Sequence, residues 1–127
     1  MHQISLFKSF TKVVGYQSLN EILEDIRSGR YKNQISKIRR MIKDGQEDKS
    51  DQLKKQLLAF TISGYFEGGR TMKHLAKYNP YIILDIDKLD QQTLIKVQVQ
   101  TKTIPYTHAA FISPSGKGYK IIVKVAT

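Results

Sequence analysis

The 127-residue sequence has no cysteine and no tryptophan. Without thiols, thiolate zinc sites, iron–sulfur clusters, redox dithiols and cysteine nucleophiles are excluded. Acidic residues are few: 11 Asp and Glu stand against 21 Lys and Arg, a formal charge of +10. Long apolar runs are missing too. Lys8 and Lys12 interrupt the apolar start of the chain, so it holds no signal-peptide core. Nothing approaches the roughly 20 apolar residues that a membrane span requires. These absences predict a cytoplasmic protein with no membrane partner.

What is present is a basic chain able to fold. With 40% hydrophobic residues it is too apolar for a disordered basic tail. Its length suits one domain over residues 1–127, able to bury about two-thirds of its unfolded surface without a staple. The charge excess attracts polyanions: nucleic acid, nucleotide or an anionic surface.

Residues 4–14 alternate loosely and predict a strand. Ser18-Leu19-Asn20-Glu21 matches a capping box, so a helix should run from there to Gly29. A second helix is expected over 31–44, where Ile35, Ile38, Met41 and Ile42 recur at helical spacing. Gly45 should end it, and Ser50 or Asp51 should cap a third helix. Residues 60–63 read as extended and 71–78 as a short helix, with Asn79-Pro80 a turn. Residues 81–87 form the strongest strand pattern, and 89–101 are ambiguous between helix and strand, with helix preferred. Residues 107–113 and 119–125 predict an antiparallel hairpin. The class is therefore α+β, a helical module over 1–59 packed on a sheet-rich module over 60–127. The end of the chain directly after a strand suggests the front part of a longer protein.

Two constellations could carry chemistry. Asp85-Ile86-Asp87 closes the apolar strand. Strand side chains alternate, so both carboxylates project from one face, a pair that a nearby cation would stabilise. Hard divalent ions such as Mg²⁺ take such oxygens and share their other positions with water and phosphates. The plainer alternative is two solvated acids topping a strand. The second constellation is Ser113-Pro114-Ser115-Gly116-Lys117-Gly118-Tyr119-Lys120. Its glycines could let backbone amides approach a phosphate, with Ser115, Lys117 and Lys120 as further donors. It lacks the P-loop spacing, and an ordinary hairpin with exposed lysines would read the same way. His108 and Ser113 are candidates for the same groove. Lys37, Arg39, Arg40 and Lys43 suit a nucleic-acid backbone or simply a solvated helix face. Tyr31, Tyr65, Phe66 and Tyr119 suit base stacking or the core.

Together, the acidic pair and the basic glycine-rich turn resemble the archaeo-eukaryotic primase superfamily. The resemblance is closest to the primase-like N-terminal domain of VirE-type proteins of bacterial mobile elements. Ile82-Ile83-Leu84-Asp85-Ile86-Asp87 matches its metal-binding strand, and Ser115-Gly116-Lys117-Gly118-Tyr119-Lys120 its nucleotide-binding element. The likeness covers residues 60–125 best. Lys120 stands where most of the superfamily has histidine, a feature of the VirE-type branch. The resemblance implies an RRM-like, primase-palm sheet and a fragment of a larger catalytic core. It implies catalytic and metal-binding roles for Asp85 and Asp87, with Mg²⁺ or Mn²⁺ as cofactor. Ser115, Gly116, Lys117, Gly118 and Lys120 would bind the triphosphate. Nucleoside triphosphate and a single-stranded DNA template would be partners, with a helicase or other domain following. A further carboxylate used by the superfamily has no candidate after Lys120. A non-catalytic nucleic-acid-binding module, or an interaction domain whose charge is incidental, are the alternatives.

Overall fold

The computed structural model describes residues 3–8 and 12–125. His2, residues 9–11 and residues 126–127, on which parts of the expected first and last strands fall, lie outside the described residues. The fold class is α+β, as the sequence predicts, with two compact units, Met1–Asn79 and Pro80–Thr127.

In the first unit, β1 (Gln3–Lys8) lies between β2 (Lys12–Ser18) and β3 (Ala59–Phe60), antiparallel to both. The single strand expected over 4–14 is thus two strands. Loose alternation in the sequence has a physical source here: β1 is central, and Ile4, Ser5, Leu6 and Phe7 are all buried. A strand covered on both faces loses the period-two pattern. Ser5 can be buried because its hydroxyl accepts from the Phe66 amide at 2.8 Å and donates to the Phe66 carbonyl at 3.0 Å. The segment 1–59 therefore carries strands as well as helices.

Helix α1 (Leu19–Ser28) begins as expected. The Glu21 amide donates to Ser18 Oγ at 3.2 Å, and the Ser18 amide donates to Glu21 Oε1 at 3.1 Å. Gly29 ends it in the left-handed conformation. Ser18→Ala should lower stability by about 1 kcal/mol, visible as a lower denaturant midpoint, and Ser18→Asp should restore most of that loss.

Helices α2 (Lys32–Lys43) and α3 (Glu47–Gln56) pack on one another, with Ile38 fully buried. The third helix does not start at Ser50 or Asp51. Ser50 lies inside α3, buried, and its hydroxyl donates to the Glu47 carbonyl at 2.7 Å. A serine that bonds back one turn satisfies itself within a helix and gives up its capping role.

Strands β4 (Gly64–Phe66) and β5 (Leu75–Tyr78) form a second sheet. The short helix expected over 71–78 shrinks to one 3₁₀ turn, Met72–His74, before β5. Eight residues without a strong apolar stripe cannot nucleate a stable helix, while backbone pairing with β4 is available.

The second unit holds β6 (Tyr81–Ile86), α4 (Gln91–Thr101), β7 (Thr107–Ile112) and β8 (Tyr119–Lys124). Sheet order is β6-β8-β7, antiparallel throughout. The hairpin strand β8 enters between β6 and β7, giving the split β-α-β connectivity of ferredoxin-like and RRM-like sheets. Residues 91–101 are helical: Asp90 caps α4 by accepting from the Thr93 amide at 2.7 Å. That amide holds the Asp90 carboxyl below the usual carboxylate range. Leu94 packs on Tyr119, Ile121 and Val123, joined by Ile86, Leu89, Val97 and Ala110. Alternation then assigns Lys120 and Ile122 of β8, with Asp85 of β6, to the face turned away from α4.

Candidate functional site

The pairing of β6 with β8 brings the two sequence constellations together. Asp85 stands directly opposite Lys120, and Ile86 opposite Tyr119. The Lys120 ammonium donates to Asp85 Oδ1 at 2.7 Å. Both side chains are only partly covered, with 28% of Lys120 and 47% of Asp85 exposed. Asp87 follows two residues on, and a Cβ built on Gly118 would lie 3.3 Å from its Oδ1. β6 ends at Ile86, so Asp87 lies one residue past the strand expected to include it, with its carboxylate beside Gly118. Phe111 of β7 completes the row on the other side of Lys120.

The turn from Ser113 to Gly118 is built by its own hydrogen bonds. Gly116 has a φ of 79°, which a side chain rarely tolerates, and its amide donates to the Ser113 carbonyl at 2.9 Å. The Gly118 amide donates to Ser113 Oγ at 3.0 Å, and the Lys117 amide to Ser115 Oγ at 3.2 Å. Ser113 and Ser115 share a further bond at 3.0 Å. The amides of Gly116, Lys117 and Gly118 are thus engaged inside the turn. These amides are therefore not open as the phosphate cradle that the sequence suggests, and the serine hydroxyls are likewise engaged within the turn. Gly118 has a packing reason of its own, since an added Cβ would sit 2.9 Å from Ser113 Oγ and 3.0 Å from the Ile86 carbonyl.

One feature escapes a sequence reading. Lys88 has a φ of 56°, the one described non-glycine residue with positive φ. It turns the chain after Asp87 so that the Leu89 amide donates to the Lys117 carbonyl at 2.7 Å. The acidic strand end and the basic turn are therefore pinned to each other. No glycine or asparagine flags Lys88 in advance, and backbone strain of this kind gathers at functional sites.

The other candidates fall elsewhere. A bulge at His108 brings its ring to 5.2 Å from Tyr81, four residues before Asp85 on β6, which is about 13 Å of extended strand. His108 is not brought to the acidic pair. Tyr119 and Phe66 are buried in the core, and burial pushes the Tyr119 phenol up, so it stays protonated. Tyr65 stacks on Tyr16 at 4.9 Å, and Tyr31 lies under the Arg30 guanidinium at 5.4 Å. Lys37, Arg39, Arg40 and Lys43 are exposed on α2, which contains no acidic residue. They belong to the first unit, whereas the acidic pair belongs to the second.

Among the described residues, no three His, Asp or Glu side chains are grouped to hold a metal. The donor set at Asp85 and Asp87 still fits one hard divalent ion. Mg²⁺ takes one or two carboxylates and fills its other positions with water and substrate phosphate. In the structure the Lys120 ammonium already neutralises Asp85. Among the described residues, no helix is long and apolar enough to cross a membrane.

Fold and site thus define an α+β protein whose β-α-β-β unit carries an acidic strand end clamped to a basic turn. Residues 52–127 match the BT4734-like N-terminal domain, and the chain belongs to that family. The match includes the whole second unit. No curated protein and no solved structure matches the chain.

Proposed function

We propose that this is a primase-polymerase-like nucleotidyltransferase domain that acts on DNA in the cytoplasm during mobile-element replication. It would bind a divalent metal, a nucleoside triphosphate and single-stranded template. The observation that carries the reading is the register of β6 and β8, which sets Asp85 opposite Lys120 with Asp87 beside Gly118. Acidic ligands for a cation and basic donors for a polyphosphate then lie together at one end of the β6–β8 pair.

Asp85 and Asp87 would hold Mg²⁺ or Mn²⁺, which when bound supplies charge neutralisation for an in-line displacement at a phosphate. Lys117 and Lys120 would meet the triphosphate as point charges, placed before the reaction by the turn and by β8. Ser113 and the Lys88 turn hold the two halves of the site in register. Lys37, Arg39, Arg40 and Lys43 of α2 would contact template phosphates and give the salt dependence of counter-ion release. That acid-free helix face also favours the second reading, a nucleic-acid-binding module without metal or catalysis. A helicase or other domain as partner follows only from the primase resemblance.

The test is titration of Mn²⁺ and a nucleoside triphosphate into the chain, followed by NMR. The expected result is paramagnetic broadening centred on Asp85 and Asp87, with nucleotide-induced shifts from Ser115 to Lys120. Single-strand binding that survives chelation, with broadening spread over residues 44–51 instead, would replace this reading with the second.

A further inference from the structure

We propose that Lys120 is an exchangeable counter-ion: its ammonium neutralises Asp85 in the unliganded chain and passes to the triphosphate when nucleotide arrives. A divalent ion then gains both carboxylates only together with nucleotide. This rests on the metal and nucleotide reading of the same site.

Asp85 and Lys120 are direct partners across an antiparallel pair, so their contact at 2.7 Å needs no special rotamer search. Among the described residues, no ion pair involves Asp87. The two carboxylates are therefore unequal: one carries an ammonium and the other does not. A divalent ion entering between them meets that ammonium as a like charge at contact range. With 28% and 47% of the two side chains exposed, water reaches the pair, and such pairs are weak enough to be broken by a stronger ligand.

A triphosphate is that ligand. It offers Lys120 several anionic oxygens in place of one carboxylate, and it neutralises the charge the metal brings. Because the amides of Gly116, Lys117 and Gly118 are engaged within the turn, the ammonium groups are the mobile donors left for the phosphates. Metal and nucleotide must then strengthen each other's binding by the same factor. The ion pair makes free metal a poor ligand of the empty site.

The experiment is calorimetric titration of Mn²⁺ alone, without nucleotide, into the native chain, Lys120→Met, Lys120→Gln, Lys120→Arg and Asp85→Asn. Methionine keeps most of the stem that packs on the sheet, and glutamine is a second neutral variant should methionine disturb β8. The expected result is roughly tenfold tighter Mn²⁺ binding in both neutral variants. Lys120→Arg, which keeps the charge, should behave as the native chain. Equal Mn²⁺ affinity in the native chain and both neutral variants, with binding still lost in Asp85→Asn, would overturn the counter-ion role and leave the metal site standing. No Mn²⁺ binding in any of them, or binding indifferent to Asp85→Asn, would remove the metal reading and this inference with it.

Discussion

Asp85→Asn should abolish metal-dependent binding of a nucleoside triphosphate, a loss of at least about 100-fold, while leaving the fold intact. The substitution keeps the size of the side chain and an oxygen able to accept from Lys120 Nζ, now 2.7 Å away. It removes only the charge. A hard divalent ion held by two carboxylates loses half of its protein-borne negative charge, and a neutral amide oxygen is a poor substitute. Asp85 is about half exposed, so the stability change should stay below about 1 kcal/mol. Calorimetry with Mn²⁺ and a nucleoside triphosphate, alongside a denaturant curve, separates the two effects. Nucleotide affinity unchanged in Asp85→Asn, and equally unchanged by chelation, would mean that the basic turn binds polyanions without a metal.

Gly118→Ala should damage stability more than any surface change of this size, by about 2 kcal/mol. Its Cβ would meet Ser113 Oγ at 2.9 Å and the backbone carbonyl of Ile86 at 3.0 Å. The second of these cannot swing away, because Ile86 is held in register opposite Tyr119. Either the turn lifts, breaking the bond from the Gly118 amide to Ser113 Oγ, or the end of β6 moves. Both routes shift Asp87 and Lys117 apart, so nucleotide affinity should fall along with the denaturation midpoint. A variant as stable as the native chain would show that the turn relaxes freely and that the clamp between β6 and the turn is loose.

Gly118 also shows how two explanations of one residue separate. From sequence, the glycine suggests backbone approach to a phosphate. In the structure its amide is buried and bonded to Ser113, and the missing side chain is explained by the neighbouring strand. The same holds for Ser113, whose place beside the turn was legible but whose work as an internal acceptor was not. Lys88 was not legible at all, because a left-handed lysine carries no compositional mark.

What the sequence by itself determined is local. The capping box of Ser18 and Glu21, the stop at Gly29, the α2 stripe through Ile38, and the hairpin around Gly116 all follow from residues a few positions apart. The acidic pair was expected to share one strand face by the same alternation, but β6 ends at Ile86 and Asp87 lies just beyond it. The α+β class follows from the same patterns. Only the tertiary structure decided which strands are neighbours. The split of residues 4–14 into two strands, the burial of Ser50 inside α3, and β5 in place of a helix each reflect contacts that a local pattern does not contain. Most decisively, Asp85 meets Lys120 across 35 positions of sequence because β8 enters the sheet beside β6. Local hydrogen bonds and side-chain periodicity are written in adjacent residues. Register between distant strands is set by which apolar faces can be covered together, here by Leu94 of α4 over Tyr119, Ile121 and Val123.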